Sequence, residues 1–536
     1  MIFKYYILPL LLILWIPSKV FADVTIPKSN YRVPKNIAFA SVGGGSSHHM
    51  WVFEILKEMH NRGHNVSFYS KSDQIHFSRG YPMIKVQEAG GSKDFIHHPL
   101  VAKHFSTRSS RELVNLALLE SCLVDYPTDL AICDSFSIDC IDAAIVSKIP
   151  VIITTTLGMF ADFDASYINN KAHHSDFRTT QDDSIWTRIY RDFIATPFHM
   201  KMLSRKVSHA HDFQRKLGLE PITDASAKRY NHVPKLVNNL FGIETARKHS
   251  PLMHMIGPIL RNSYPALDHD SLEFLNSRKS IVYIAFGQHA MSSDRDVKMI
   301  IQSLLRLFEQ KIIDGVIWAR LGKDQIPQLV RTINQEYSFD DIFGHKDILF
   351  PQWAPQFAIL EHPSVSFFIS HGGVGSMHES LFNGKRLFVY PMFGDQPGNA
   401  RAIERIGVGK QIDTLNLKYD SKDYDQFYAK LYTVAADPQN KIQNTVNRYK
   451  TYAQVSASNA VTRGADLMEE SLFASDSQGM LYYRYDVGYE IPWVKRYNVD
   501  IYAFFAVLSL CILKAGLWCL GPIPYEINLM HKLRSI

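Results

Sequence analysis

Residues 350–405 read FPQWAPQFAILEHPSVSFFISHGGVGSMHESLFNGKRLFVYPMFGDQPGNARAIER. Val365–Ile369 is an apolar run of strand length, and His371-Gly372-Gly373 follows directly after Ser370. A helical stretch then carries Gly375, Ser376 and Glu379, and a second apolar run, Leu387–Tyr390, precedes Gly394-Asp395-Gln396-Pro397. A glycine turn between a buried strand and a helix presents free backbone N–H groups at the positive end of that helix, a ready-made phosphate site. His371 adds a donor there, Gly373 backbone access and Ser376 a hydroxyl. Glu379, two turns on, places a carboxylate where two ribose hydroxyls could donate. Trp353 offers a flat face to a base and Gln356 an amide beside it. Asp395 and Gln396 offer an acceptor and a donor for sugar hydroxyls. Each residue alone has an ordinary structural reading; their order is what carries the chemistry.

Working outward, the same alternation extends to both sides. Ser280–Phe286, Val316–Ala319 and Ile348–Phe350 read as further buried strands of the same unit, expected over residues 280–470. Near the other end Asn36–Val42 is a strand-length apolar run, followed by Gly43-Gly44-Gly45-Ser46-Ser47. Val52, Ile55, Leu56 and Met59 then fall on one face of a helix, which Arg62-Gly63-His64 closes. Val66–Tyr69, Leu130–Cys133 and Val151–Thr154 continue the pattern, so an N-terminal Rossmann-like domain is expected over 23–258. Residues 160–250 are richer in helix formers and histidine. A polar stretch, Arg261–Lys279, reads as the interdomain linker, with the boundary at 259–279. Two such α/β domains place a cleft between the carboxyl ends of two sheets, where ligands of these folds bind.

The chain has 536 residues, 46% hydrophobic and 21% charged, which is too long for one ordinary core. Its 58 basic and 52 acidic residues are interspersed without a Lys/Arg block, so no nucleic-acid partner is expected. Met1–Ala22 reads as a signal peptide, with a lysine at position 4, an apolar run and Val20-Phe21-Ala22 before a cut. Residues 500–520 read as a transmembrane helix interrupted by Lys514, reached through a segment at 471–499 and followed by a cytosolic tail at 521–536. Basic residues flank both sides of that helix, so the signal peptide sets the orientation: body in the lumen of the endoplasmic reticulum or a later secretory compartment. Of five cysteines, Cys511 and Cys519 fall in the apolar segment. That leaves Cys122, Cys133 and Cys140, an odd set from which no disulfide framework and no metal site is expected. Asn65-Val66-Ser67 is a formal glycosylation sequon at the start of a buried strand.

Together the Trp-x-Pro-Gln pattern at 353–356, His371-Gly372-Gly373, a glutamate eight residues after the histidine, and Asp395-Gln396 resemble the signature of the UDP-glycosyltransferase family. The resemblance covers nearly the whole chain, signal peptide and anchor included. It implies a GT-B fold, two Rossmann-like domains facing across a cleft, and inverting hexosyl transfer. A UDP-sugar would be the donor, a small lipophilic hydroxyl compound the acceptor, and no tightly bound cofactor or metal would be needed. A homo-oligomer is left open. Trp353 then matches the residue that stacks on uracil, Gln356 a nucleoside contact and Glu379 the ribose ligand. His371 and Ser376 match diphosphate contacts, and Asp395 and Gln396 contacts to the donor sugar. His48 matches the catalytic base, with His49 as its competitor, and Asp134 its acidic partner, with Asp139 and Asp142 as alternatives. Two positions depart from the family pattern. Gly375 stands where asparagine is usual, and Gly287 is followed by Gln288 where serine is frequent; Gln288 could still donate to a phosphate oxygen.

Two other classes fit less well. Gly43-Gly44-Gly45 resembles the loop of a dinucleotide-dependent oxidoreductase, but His48 occupies the third glycine position, where its bulk would disturb pyrophosphate approach. An inactive sugar-nucleotide-binding or membrane scaffold protein would have lost the base or the phosphate turn, whereas His48, Asp134, His371 and Glu379 are all present.

Overall fold

The computed structural model describes residues 31–41, 43–88, 127–158, 160, 163, 165–168, 179–198, 201, 211, 214–215, 218–221, 228–288 and 290–519. The expected signal peptide, Cys122 and the expected tail at 521–536 lie outside the described residues. The first sheet contains β1 (Asn36–Ala40), β2 (Asn65–Ser70), β3 (Lys85–Glu88), β4 (Leu130–Asp134), β5 (Val151–Thr155), β6 (Lys235–Val237) and β7 (Met253–Met255). Its order is β3-β2-β1-β4-β5-β6-β7, and every pairing is parallel. The second domain opens with β8 (Ile281–Ala285) and β9 (Gly315–Trp318). A small antiparallel pair follows, β10 (Leu329–Arg331) with β11 (Glu336–Ser338). Then come β12 (Ile348–Leu349), β13 (Val365–Ser370), β14 (Arg386–Val389) and β15 (Gly409–Gln411). The second sheet runs β12-β9-β8-β13-β14-β15, again parallel throughout.

Strands β4, β5 and β8 are buried along their whole length, which is why they read as unbroken apolar runs rather than alternating ones. Helices cover both faces. The Ser46–Asn61 helix packs Val52, Ile55, Leu56 and Met59 into one core of the first domain, the face its periodicity marked out.

Both sheets reverse their order at the centre. β1 lies beside β4 and β8 beside β13, and in each case the connections leave toward opposite faces. The register pairs Ala40 with Cys133 and Ala285 with Ser370, so the loops after these strands emerge side by side. Such a switch point opens a crevice at the carboxyl edge of a sheet.

The polar stretch expected as linker holds a helix, His269–Asn276, capped by Asp268, whose Phe274 and Leu275 bury in the second core. In the other direction, Leu157, Leu240 and Ile243 of the first domain join that second core. The chain also returns. Ala460, Ala465, Met468 and Leu472 of the Ala460–Ala474 helix bury against the Ser46–Asn61 helix, so a domain limit at residue 470 falls within an element that packs on the first domain. Among the described residues one pair, Cys133–Cys140, forms a disulfide with Cα atoms 5.7 Å apart, a lone bond where the sequence led to no disulfide framework. The strand end and the helix after it bring the two together, and sequence spacing carries no sign of that. The described chain ends in the Val499–Cys519 helix, none of it buried, at 21 residues about 31 Å long and so sufficient to cross a hydrocarbon core.

Glu469 fastens the returning helix. Its buried carboxylate accepts from Arg32 at 2.6 and 2.9 Å, from Arg62 at 2.8 Å and from Tyr31 at 3.0 Å. Burial opposes its charge, but these donors with His64 overcome that and hold the carboxyl at about 2 instead of 4.5. A depressed carboxyl stabilises the fold fully above the unfolded value and loses that contribution as pH falls through the folded one. Glu469→Ala should therefore cost roughly 1.5–3 kcal/mol at neutral pH, since it removes charge-assisted bonds to Arg32 and Arg62, although Arg62 keeps Glu58 and Asp466. The wild-type advantage should fade between pH 4.5 and about 2. Denaturant titration of both proteins across that range checks it.

Candidate active site

The loop after β1 and the turn after β4 bring two candidate residues together. His48, in the first turn of the Ser46–Asn61 helix, places Nδ1 2.8 Å from Oδ2 of Asp134, the last residue of β4. The other carboxylate oxygen accepts the Phe136 N–H at 2.9 Å, which fixes its rotamer. The Phe136 ring stacks on the imidazole at 4.6 Å between centroids. Gly44, at φ +83°, is required here because a Cβ would fall 2.4 Å from the His48 ring. His49 points the other way: it is buried, bonds the Gly45 carbonyl at 2.9 Å and stacks on Phe77 in the core. Asp142 bonds Arg229 and Tyr230 away from this pair. The Asp139 side chain lies outside what is described.

Across the cleft, the turn after β13 runs into the Val374–Asn383 helix, whose N-cap is Gly373 and which has no side-chain cap. The His371 ring sits in a slot between two glycines. A Cβ on Gly287 or on Gly373 would come within 2.8 or 2.5 Å of it. Gln356 donates to Glu379 at 2.7 Å and to the Ser376 hydroxyl at 3.3 Å, so three candidates form one cluster. Trp353 is 61% exposed and presents its ring to the cleft. Asp395 stands at the start of the Gln396–Arg405 helix and accepts from Asn399 at 2.7 Å. Gln396 is buried, its side-chain oxygen accepting the Met392 and Phe393 N–H groups at 2.8 and 3.1 Å. That leaves its amide as the part able to meet a ligand. The intervening cleft holds about 1680 Å³, more than the usual 300–1,000 Å³ of a single-ligand pocket and enough for two substrates.

Comparison with known proteins bears on the family and the fold. The family described as "UDP-glucoronosyl and UDP-glucosyl transferase" matches residues 162–443, more than half of the chain. The chain belongs to that family. It is 26% identical over 485 residues to UDP-glycosyltransferase FPY2 of Fusarium mangiferae, covering 85% of each protein. It is 23% identical over 303 residues to UDP-glucuronosyltransferase 3A1 of Mus musculus, 56% of this chain and 52% of that one. Among solved structures, UGT2 of Phytolacca americana, complexed with UDP-2fluoro-glucose and pterostilbene, superposes with a TM-score of 0.55 at 17% identity. It covers 82% of this chain and all of that one. The fold is GT-B, and the chain is a UDP-glycosyltransferase whose donor is a UDP-sugar and which needs no tightly bound cofactor.

Some of this enzyme's cleft residues carry no sequence signal. Phe136 follows an ordinary strand end. Tyr264, from the expected linker, lies beside Glu379 and stacks on Phe357 at 4.1 Å, and Arg261 adds positive charge nearby. The two departures from the family pattern both face the first domain. Gln288 accepts the Ser46 N–H at 3.3 Å, and the Ser47 Cβ lies 3.8 Å from where a Gly375 side chain would begin.

The electrostatics separate the histidines. Burial disfavours an imidazolium at position 48, but the charge and hydrogen bond of Asp134, aided by the charge of Asp395, hold it above its ordinary 6.5. His49 has no such partner, and burial takes it down to about 4. Burial pushes the Glu379 carboxyl up, with Gln356, Tyr264 and Arg261 opposing without reversing the shift. Asp134→Asn keeps the shape and removes the charge, so His48 should then titrate below 6.5, because burial is left largely unopposed. Histidine-selective NMR titration of both proteins reads this directly. An unshifted midpoint would mean that the two groups are not coupled.

Proposed function

We propose that the enzyme moves a hexosyl group (glucosyl, galactosyl or glucuronosyl) from UDP to a hydroxyl of a small lipophilic acceptor, with inversion, and that His48 is the general base. The 2.8 Å contact between His48 Nδ1 and Asp134 carries this reading. An alcohol is a poor nucleophile at neutral pH, so its proton must leave as the bond to the anomeric carbon forms. A carboxylate on Nδ1 selects the tautomer whose Nε2 can take that proton, and it stabilises the imidazolium that results. The raised pKa moves the acid limb of the rate profile above pH 6.5, since the base works only when neutral.

In this reading uracil stacks on Trp353, and the ribose hydroxyls donate to Glu379, which Gln356 orients. The diphosphate lies at the uncapped helix beginning after Gly373, against His371, Ser376, Gly287 and Gln288. UDP departs into those donors, which meet the charge as it develops. Asp395 and the Gln396 amide hold sugar hydroxyls opposite His48. Met50, Phe136, Tyr190 and Leu260 give the acceptor side of the cleft an apolar wall. That wall suits a sterol or phenol, and the pterostilbene of the Phytolacca enzyme is such a phenol.

UDP release with a series of UDP-sugars and phenolic or steroid acceptors tests the activity, and two variants should fail in different parameters. His48→Ala lowers kcat by roughly 10²–10⁴ with donor binding nearly unchanged, whereas His49→Ala is mild. Glu379→Ala raises the donor KM, losing a charge-assisted contact of roughly 1.5–3 kcal/mol. Full activity in His48→Ala would place the base elsewhere.

The Val499–Cys519 helix is the membrane anchor in this reading, with the body lumenal. Removing residues 499–536 should release the body into the carbonate-soluble fraction without loss of folding, because the helix buries nothing against either core. A truncated protein that still pellets with membranes would point to a second contact in the body.

A further inference from the structure

Cys133 and Cys140 are both fully buried, and the bond between them spans seven positions of sequence. Cys133 lies in the middle of the sheet, paired with Ala40 on one side and Ile153 on the other. Cys140 lies in the first turn of the Ile138–Val146 helix. Between them run Asp134 and Phe136, the carboxylate and the ring that hold His48. Other holds on this turn are hydrogen bonds. The Ser137 N–H reaches the Asp134 carbonyl at 2.7 Å, the Ser135 N–H the Thr154 carbonyl at 2.9 Å, and the Phe136 N–H the Asp134 side chain at 2.9 Å. The helix is also packed through Ile141, Ala143 and Ala144, but side-chain packing and hydrogen bonds resist a small tilt less than a covalent link does. A displacement of about 1 Å is enough to cost about 10²-fold in rate at a reacting group.

We propose that the Cys133–Cys140 disulfide is a positioning element of the active site: it locks the helix to the strand end and so holds Asp134 and Phe136 in place against His48. The inference rests on the reading of His48 and Asp134 as the catalytic pair. The bond forms by thiol–disulfide exchange. Each cysteine thiol gives up one proton and one electron as the sulfur–sulfur bond forms, and the disulfide of an oxidant such as oxidised glutathione is reduced to two thiols. An oxidising secretory lumen supplies such an oxidant and the cytosol does not.

Full-length enzyme in detergent is alkylated without reduction and mapped by peptide mass spectrometry. A linked peptide holding both cysteines is expected, and two alkylated thiols would overturn the proposal outright. Cys133→Ala, Cys140→Ala and the double variant are then assayed with wild type before and after dithiothreitol. The variants and the reduced wild type should each lose roughly tenfold or more in kcat, with donor KM unchanged. The acid limb of the rate profile should move to lower pH, because Asp134 no longer holds the imidazolium firmly. Dithiothreitol should change nothing further in the double variant. Should the variants fail to fold, reduced wild type that still binds UDP decides the matter by the same three readouts. Unchanged kcat and an unchanged acid limb after verified reduction would sink the proposal. If Asp134→Asn is itself fully active, the catalytic pair is wrong. If Asp134→Asn is impaired while loss of the disulfide costs nothing, the pair stands and only the staple fails.

Discussion

Parallel pairing of β1 with β4 and of β8 with β13 is the constraint on which the whole site depends. At each of these two places the chain leaves neighbouring strands toward opposite faces of a sheet, so the loops must diverge and a crevice must open between them. His48 and Asp134 are 86 residues apart in sequence, yet the register that sets Ala40 against Cys133 delivers them to the same edge. Pairing Ala285 with Ser370 does the same for Gly287 and His371, close enough that the glycine cannot be alanine without displacing the ring. The two crevices face each other because each domain keeps a piece of the other. Leu240 and Ile243 are built into the second core, and the Ala460–Ala474 helix is built into the first.

Within that frame, burial and charge compete at each titratable group, and geometry decides the winner. His48 and His49 are neighbours on one helix, about 100° apart around its axis. That rotation places one ring against a carboxylate at the cleft and the other among Phe39, Phe53, Phe68 and Phe77. The same desolvation acts on both, and only the partnered ring keeps its affinity for a proton. Glu379 is the inverse case. Its neutral partners, Gln356 and Tyr264, reduce the cost of the buried charge without cancelling it, which leaves a carboxylate with unused capacity for hydroxyl donors.

How far all this was legible varied with the length of the feature. The strands of both sheet centres are runs of four to six residues, and their apolar content gave them away within a residue or two. Strands β6, β7 and β15 are only three residues long, too short to show a period. β3 is a polar edge strand with little burial and so no hydrophobic signal. The glycine turn after β13 and its helix were visible because glycine, histidine and glutamate fall at fixed offsets within one local element. Phe136, Tyr264 and the Cys133–Cys140 pair were not, since each depends on which strand lies beside which. Tyr264 was further hidden by its setting in a polar stretch that looks like linker and in fact lines the cleft.

The two departures from the family pattern acquire a common meaning from the contact they share. Gly375 and Gln288 belong to different loops of the second domain, and both abut the beginning of the first-domain helix that carries His48. An asparagine at 375 would have to extend into space next to Ser47, so the glycine at this position goes with a close approach of the two domains. Serine at 288 has reach for one partner. Glutamine has an oxygen for the Ser46 N–H and an amide left over, so one side chain can satisfy a helix-terminal donor on one side of the cleft and offer donors to a phosphate on the other. The backbone position of Ser46 is only two residues from His48. Whatever holds Gln288 therefore acts on the helix that presents the imidazole, through a hydrogen bond and not through the long path around either sheet.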